Sequence, residues 1–260
     1  MRIVDLDEAH VEEYLICLED WSDEIREAGD HKRRWYERAK NEGLRVKLAL
    51  DDEGSAGGMI QYGPIERSFA QGNDLQFIYC IWVHGHKKGR GDHQGRGMGT
   101  ALLKAAEDDA QRRGVPGMAA WGLSLPIWMR ASWFRKHGYV KADAMGMQIL
   151  LWKPFLGDAV APRWIRRQKT PDRIPGRVTV TSFRNGWCPA QNLVHERARR
   201  VCEALGDAVV FRTIDTSDRC RLLEWGISDA LFIDGKEVRT GPPPSTKKLE
   251  RLVRRRIKRL

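Results

Sequence analysis

Ile81-Trp82-Val83, ten residues of loop, and then Gln94-Gly95-Arg96-Gly97-Met98-Gly99-Thr100 form the stretch on which the reading of this chain turns. Upstream, Leu75 to Val83 is an almost unbroken apolar run, the pattern of a strand buried on both faces. Downstream, Met98, Leu102, Ala105 and Ala106 share one face of a helix predicted to run to about Arg113 and to end at Gly114. Glycines at a helix start let several backbone N–H groups point at one anion, and the helix dipole adds partial positive charge there. A pyrophosphate suits that geometry. No Lys-Ser or Lys-Thr pair closes the loop as in a Walker loop, and the spacing is not the dinucleotide Gly-X-Gly-X-X-Gly. It is Gln-X-X-Gly-X-Gly.

Working outward, the N-terminal side predicts a strand over Arg2–Asp5, helices over 10–20 and 31–42, and a hairpin of Leu44–Leu50 with Gly57–Tyr62. The C-terminal side predicts a strand over Met118–Leu123, a helix opened by Pro126 and closed by Gly138, and strand-like sequence over Tyr139–Trp152. After Pro154 the composition turns to Pro, Arg and Gly until Gly176. Beyond it, Val178–Phe183, a helix over Pro189–Leu205, Ala208–Ile214, a short helix near Leu222, Ala230–Ile233, Glu237–Arg239 and a basic terminal helix make a second, smaller α/β unit. With 260 residues, 42% hydrophobic and 31% charged, the chain reads as two soluble domains: 1–154, a linker 155–176, and 177–260. No apolar run approaches a membrane span, and the opening residues lack the order of a signal peptide, so a cytoplasmic location without membrane partners is expected. Five cysteines in a reducing compartment are expected as thiols.

The strand, the Gln94–Thr100 loop, the amphipathic helix after it and Trp133-Phe134-Arg135-Lys136-His137-Gly138-Tyr139 some forty residues on together resemble the GNAT family of acyl-CoA-dependent N-acyltransferases. The resemblance implies an α/β fold with a mixed, mostly antiparallel sheet over residues 1–154. It implies acetyl-CoA as acyl-donor cosubstrate. The backbone of Gln94, Gly95, Arg96, Gly97, Met98, Gly99 and Thr100 would take the pyrophosphate, and the pantetheine arm would follow Ile81, Trp82 and Val83. The insertion His84–His93, with Lys87, Lys88 and Arg90, either reaches the coenzyme's 3′-phosphate or is a solvated loop.

Acyl transfer from a thioester needs a deprotonated amine, a donor where the oxyanion develops, and a route for the thiolate to leave. The family's usual acid, a Tyr four residues before the Gly of the terminal turn, is Phe134 here. The usual acid is therefore missing: either Tyr139, one residue beyond Gly138 where an apolar aromatic normally packs, is the candidate acid, or protonation of the thiolate is left to water. Candidate bases are Asp or Glu near the cleft and His84, His86 or His93, with His84 placed first. A metal reading of His84, His86, Asp92 and His93 is set aside, since a glycine-rich loop offers no rigid ligand frame. The tryptophans of the first unit serve the core or line a pocket. The acidic run Glu19, Asp20, Asp23, Glu24 and Glu27 either attracts a cationic amine or is a solvated face.

In the second unit Trp187-Cys188-Pro189 follows a strand and opens a helix, a position that activates a thiolate, so Cys188 is either a nucleophile or a capping residue. The string resembles a thioredoxin-like fold, although Gln191 stands where a resolving Cys would be and Ser228-Asp229-Ala230 where a cis-proline would be. With the Lys153–Phe155 connector, the whole chain resembles YoaP-like GNAT proteins. Formal charge is +10, of which Lys247–Arg259 supplies eight cations against one acid, Glu250. That helix is either a docked element with a solvated basic face or a contact for nucleic acid or another acidic partner. The function expected is acyl transfer from coenzyme A to the amine of a small molecule. The alternatives are a coenzyme-A-binding shell carrying a thiol- or metal-sensing module, and an acyltransferase docked through its basic helix.

Overall fold

The structure is a computed structural model that describes residues 1–125 and 128–260. In chain order its elements are β1 (Arg2–Asp5), α1 (Val11–Leu15), α2 (His31–Ala39), β2 (Arg45–Leu50), β3 (Ala56–Pro64), β4 (Ala70–Gln71), β5 (Gln76–Val83), α3 (Met98–Arg112), β6 (Gly117–Leu123), α4 (Ala131–Lys136), β7 (Val140–Met145), β8 (Gln148–Pro154) and β9 (Arg163–Trp164). There follow β10 (Val178–Arg184), α5 (Pro189–Leu205), β11 (Val209–Asp215), α6 (Arg219–Trp225), β12 (Ala230–Ile233), β13 (Lys236–Val238) and α7 (Thr246–Ile257). Two compact units result, one of Met1–Trp21 with Glu37–Ile165, the other of Ser22–Tyr36 with Arg166–Leu260. Among the described residues no helix is long and apolar enough to cross a membrane.

The first unit holds a seven-stranded sheet in the order β1-β2-β3-β5-β6-β8-β7. Neighbours run antiparallel except β5 and β6. All of β3 up to Gly63 and β5 up to Cys80 is buried, because both sheet faces are covered, and α3 lays Met98, Leu102, Leu103 and Ala106 against one of them. A tie crosses that layer: the Tyr62 hydroxyl donates to Asp109 Oδ2 at 2.8 Å. Two sequence expectations are shortened. The helix expected over 10–20 stops at Leu15, since Cys17 and Leu18 adopt positive φ (52° and 59°), a cost met by burying Leu18 completely. The helix expected from Pro126 begins at Ala131; Pro126 itself lies outside the described residues. The stretch read as linker contains β9, which pairs with β4 and buries Trp164, stacked on Phe69 at 6.0 Å.

In the second unit β10 is central, parallel to β11 and antiparallel to β12, in the order β11-β10-β12-β13. Val178 and Val180 pack with Val194, Ala198 and Val201 of α5 and with Leu249 and Val253 of α7. A smaller cluster joins Phe183, Ile227, Ala230 and Phe232. Gly226 ends α6 with φ +65°, and a Cβ there would lie 1.7 Å from the Arg166 carbonyl oxygen. Gly226→Ala is therefore expected to cost at least about 3 kcal/mol, from left-handed strain plus backbone displacement. Guanidinium denaturation of the full chain measures it.

Residues 22–36, read from sequence as part of the first domain, lie in this second unit through charge. Glu24 and Glu27 pair with Arg197 (3.1 and 3.5 Å), Glu27 also with Arg200 at 3.2 Å, and His31 Nε2 with Glu196 Oε1 at 2.7 Å. Burial lowers the pKa of His31, with Arg184 and Arg34 adding to the effect against Glu196. Burial, then Arg184 and His31, lower that of His195 to about 4. Both imidazoles are neutral in the folded unit and would bind protons when unfolded, so their contribution is complete above about pH 6.5 and is lost as pH falls towards 4. The melting temperature of the second unit is expected to fall between pH 7 and pH 5, and His195→Phe to flatten that dependence; calorimetry at both pH values checks it.

Candidate active site

The parallel ladder between β5 and β6 covers only Gln76–Ile78 against Met118–Ala120; beyond it the strands diverge. The Trp121 indole N–H bridges the start of the gap, donating to the Tyr79 carbonyl at 2.8 Å. On its other edge β5 stays paired with β3, and the His84 N–H donates to the Gly57 carbonyl. By antiparallel alternation the amides of Ile81 and Val83 then face the gap. That gap is a cleft of about 370 Å³. One wall is Ile81–Val83, its floor is Gln94 to Thr100 at the start of α3, and Trp128, Met129, Arg130, Trp133 and Phe134 close the far side.

Gly95 and Gly97 have φ +74° and +81°, and nothing lies within 4 Å of where a Cβ would stand on either. Gly97 caps α3, so the amides of Met98, Gly99 and Thr100 are first-turn N–H groups with no intrahelical acceptor. Gln94, Gly95, Arg96 and Gly97 are exposed, so the turn presents its backbone to an open cradle. That is the donor arrangement a pyrophosphate requires, and the residues present fit one. The Thr100 hydroxyl is turned aside to His137 Nε2 at 3.1 Å.

The structure brings Ile81, Trp82, Val83, Gln94, Gly95, Gly97, Met98, Gly99 and Thr100 to one cleft; Arg96 sits in the same exposed turn. Tyr139 and His84 are not among the lining residues, and Cys188 belongs to the second unit. Tyr139 is 2% exposed, packed edge-on to Phe134 at 5.4 Å, and burial followed by Glu107 raises its pKa well above the usual phenol. Tyr139 is thus buried and not among the residues that line the cleft, a position that gives its expected role as acid no support. Tyr139→Phe is expected to change turnover less than about threefold, and Phe134→Tyr less than about tenfold, because a thiolate leaves tolerably unprotonated near neutral pH; steady-state kinetics of both variants test this.

His84 is fully buried behind the cleft, its Nδ1 2.6 Å from the Gly91 carbonyl and its Nε2 3.8 Å from Asp20. The insertion that follows it is a built turn. Arg90, 6% exposed, donates to the Ala56 carbonyl at 2.6 Å and pairs with Glu13 and Asp20, so it faces inward and not towards a 3′-phosphate. Lys87 and Lys88 are exposed, and His86 stacks on Trp21 at 4.1 Å. Asp20 is spent on Arg90, and Glu24 and Glu27 on α5, which leaves little of the acidic run to attract an amine. Glu19 remains half-buried, its pKa raised by that burial.

The histidine at the cleft is His93. Its ring lies over Gly57, where a Cβ would stand 2.6 Å from Cγ, and its Nε2 is 2.8 Å from the Arg90 carbonyl. A carbonyl only accepts, so the N–H is on Nε2 and the lone pair on Nδ1, which is buried with no hydrogen-bond partner. Sequence alone set His93 beside His84 and His86 without choosing it. On the far wall the sequence offers Trp128 and Trp133 as core or pocket residues and Phe134 at the usual acid's position, and does not single out Met129 or Arg130.

Cys188 is the N-cap of α5, half-buried, and no disulfide joins the five cysteines. Cys220, in the first turn of α6, is more exposed, so the helix-start position is not peculiar to Cys188. Among the described residues, His31, His195 and Glu196 are grouped at metal-ligand spacing. Arg34 and Arg184 each place a donor 3.0 Å from His31 Nδ1, which fixes the proton on Nε2 facing Glu196 and leaves that nitrogen no lone pair for an ion.

With this geometry in place, comparison is informative. The model of the Acetyltransferase (GNAT) family matches residues 4–124. An uncharacterized N-acetyltransferase, YoaP, of Bacillus subtilis is 26% identical over 266 residues, covering 97% of this chain and 98% of that protein. Among solved structures, an Escherichia coli GNAT N-acetyltransferase (YhbS) in complex with CoA aligns over 60% of this chain and 82% of its own, with 13% identity and a TM-score of 0.44. The PaiA N-acetyltransferase of Thermoplasma acidophilum, in complex with coenzyme A, aligns over 60% and 100%, with 15% identity and a TM-score of 0.43. Residues 4–124 thus match a GNAT acetyltransferase domain, and the enzyme type these similarities support is a GNAT-type N-acetyltransferase.

Proposed function

We propose that the chain transfers an acetyl group from acetyl-CoA to the amine of a small molecule. The observation that carries this reading is the open glycine turn at the start of α3, set at the foot of the gap between β5 and β6. The amides of Gly95 to Thr100 would hold the pyrophosphate. The free edge of β5 at Ile81 and Val83 would hydrogen-bond the pantetheine arm and offer an N–H to the oxyanion. Arg96 in the turn itself and Arg130, exposed and lining the cleft, would supply positive charge near the phosphates.

An alkylamine is mostly protonated at pH 7 and must lose a proton before it attacks. Among the described cleft-lining side chains, His93 is the one with a ring lone pair placed to take a proton up. The lone pair on His93 Nδ1 is the proposed acceptor, reached when the amine enters. The amine nitrogen then bonds to the thioester carbon, the carbon–sulfur bond breaks, and coenzyme A leaves as thiolate. Screening amines for thiol release in the presence of acetyl-CoA tests the reading, and no release from any amine despite binding of acetyl-CoA would leave a coenzyme-A-binding shell.

For the second unit we propose a thioredoxin-like fold, supported by the order β11-β10-β12-β13 with parallel β10 and β11 and a cysteine at the start of α5. With Gln191 in place of a second cysteine, its chemistry would be that of a single thiol. Peptide mapping after iodoacetamide at pH 7 decides whether Cys188 outpaces the more exposed Cys220.

A further inference from the structure

The basic terminal helix gains a meaning from its packing that its sequence left open. Helix α7 buries Leu249 and Val253 and half-buries Leu252 and Ile257 against α5 and β10, so within the helix the apolar stripe is used inside the second unit, and only Leu260, past its end, is exposed. The opposite face carries Lys247, Lys248, Arg251, Arg254, Arg255, Lys258 and Arg259, all exposed. Among the described residues only Arg254 of these meets a carboxylate, Glu250 at 2.8 Å. A shallow groove of about 410 Å³ runs along that face, lined by Lys247, Glu250, Arg251, Arg254, Arg255 and Lys258.

Such crowding works against folding. Lys247 with Arg251, Arg251 with Arg255, Arg254 with Lys258, and Arg255 with Arg259 are like charges one turn apart, and each such pair destabilises a helix. Cations in the last turn gain from the dipole, but Lys247, Lys248 and Arg251 do not share that gain. A local rule broken with no folding return marks a surface kept for a partner.

We infer that this face of α7 binds the phosphate backbone of a nucleic acid, without reading its sequence. Lys247 and Lys258 stand eleven residue steps apart, roughly 16 Å at 1.5 Å per residue, with cations at each turn, matching a regular row of phosphates. Outside the cations the helix has no Asn, Gln or aromatic side chain to read or stack on bases. An anionic membrane is disfavoured because the apolar stripe needed for insertion is occupied. An acidic protein is disfavoured because the face has no exposed apolar anchor to hold one.

The test is fluorescence anisotropy of the full chain with labelled 20-base-pair duplexes of one sequence, made as DNA and as RNA, between 50 and 200 mM salt. Micromolar binding to either duplex is expected at 50 mM salt, and the duplex preferred identifies the source of the phosphates. The triple variant Arg251→Ala, Arg255→Ala, Lys258→Ala should bind at least thirtyfold more weakly and flatten the slope of log K against log salt by about 3. Arg251→Lys with Arg255→Lys, which keeps the charge, should bind within about threefold of wild type. Thiol release from acetyl-CoA, assayed without nucleic acid, should be the same in all. The inference is overturned if wild type binds neither duplex at 50 μM in 50 mM salt, or if the triple variant binds as wild type does. It is equally overturned if poly-glutamate of equal charge competes as well as duplex, or if anionic vesicles bind more tightly than either duplex.

Discussion

Gly97→Asp is expected to weaken acetyl-CoA binding by at least tenfold, about 1.4 kcal/mol, in calorimetric titration. The new carboxylate would project from a residue at φ +81° into space where nothing lies within 4 Å, so protein packing does not oppose it. What it meets is the anion held by the first amides of α3. Its charge cancels the partial positive charge of the helix start, and its volume occupies the cradle. The backbone cost of a side chain at positive φ is separated from the ligand effect by Gly54→Asp. That glycine has φ +86°, equally open surroundings and a place in the hairpin turn between β2 and β3, outside the cleft lining. Equal loss in both variants would mean that destabilisation, not the site, explains the result. Undiminished binding in Gly97→Asp would place the coenzyme elsewhere.

His93→Gln is expected to lower kcat/KM at pH 7 by about a hundredfold, within the usual range for a positioned proton acceptor. Gln keeps a donor for the Arg90 carbonyl and much of the ring's volume over Gly57, so the turn 84–93 should stay folded. The signature that separates proton transfer from packing is the pH profile. If His93 removes the amine's proton, the deficit of the variant should shrink as pH rises towards the amine pKa, near 10.4 for an alkylamine, because more substrate arrives neutral. A deficit constant from pH 7 to 10 would assign His93 to positioning. Gly57→Ala offers an independent route to the same group. Its Cβ would press on the imidazole at 2.6 to 3.0 Å, so the ring must shift, and turnover should fall with little change in acetyl-CoA affinity.

Local chemistry in the sequence determined most of the elements and the glycine turn at the start of α3. The almost unbroken apolar run before His84 reads as a strand covered on both faces, and three glycines in Gly95 to Gly99 read as a tight turn opening a helix. Both facts concern a residue and its near neighbours, and both carried through to β5 and the start of α3. The apolar stripe of the terminal helix was equally legible, because helical periodicity is written into every third and fourth residue. What the sequence did not hold was who faces whom across long separations. Tyr139 and His93 each read in the sequence as one aromatic ring with a polar, proton-carrying atom; only the packed sheet sends the first into the core and the second to the cleft wall. Arg90 reads as a loop cation until Glu13 and Asp20, seventy or more residues earlier, are seen to enclose it. Residues 22–36 read as part of the first domain until their carboxylates meet Arg197 and Arg200 of a helix more than 160 positions away. Ion pairs and cleft walls are properties of distances in space, and only the tertiary structure supplies those distances: sequence patterns record the periodicity of one element, while a charge or an imidazole acquires its role from whichever element the fold lays against it.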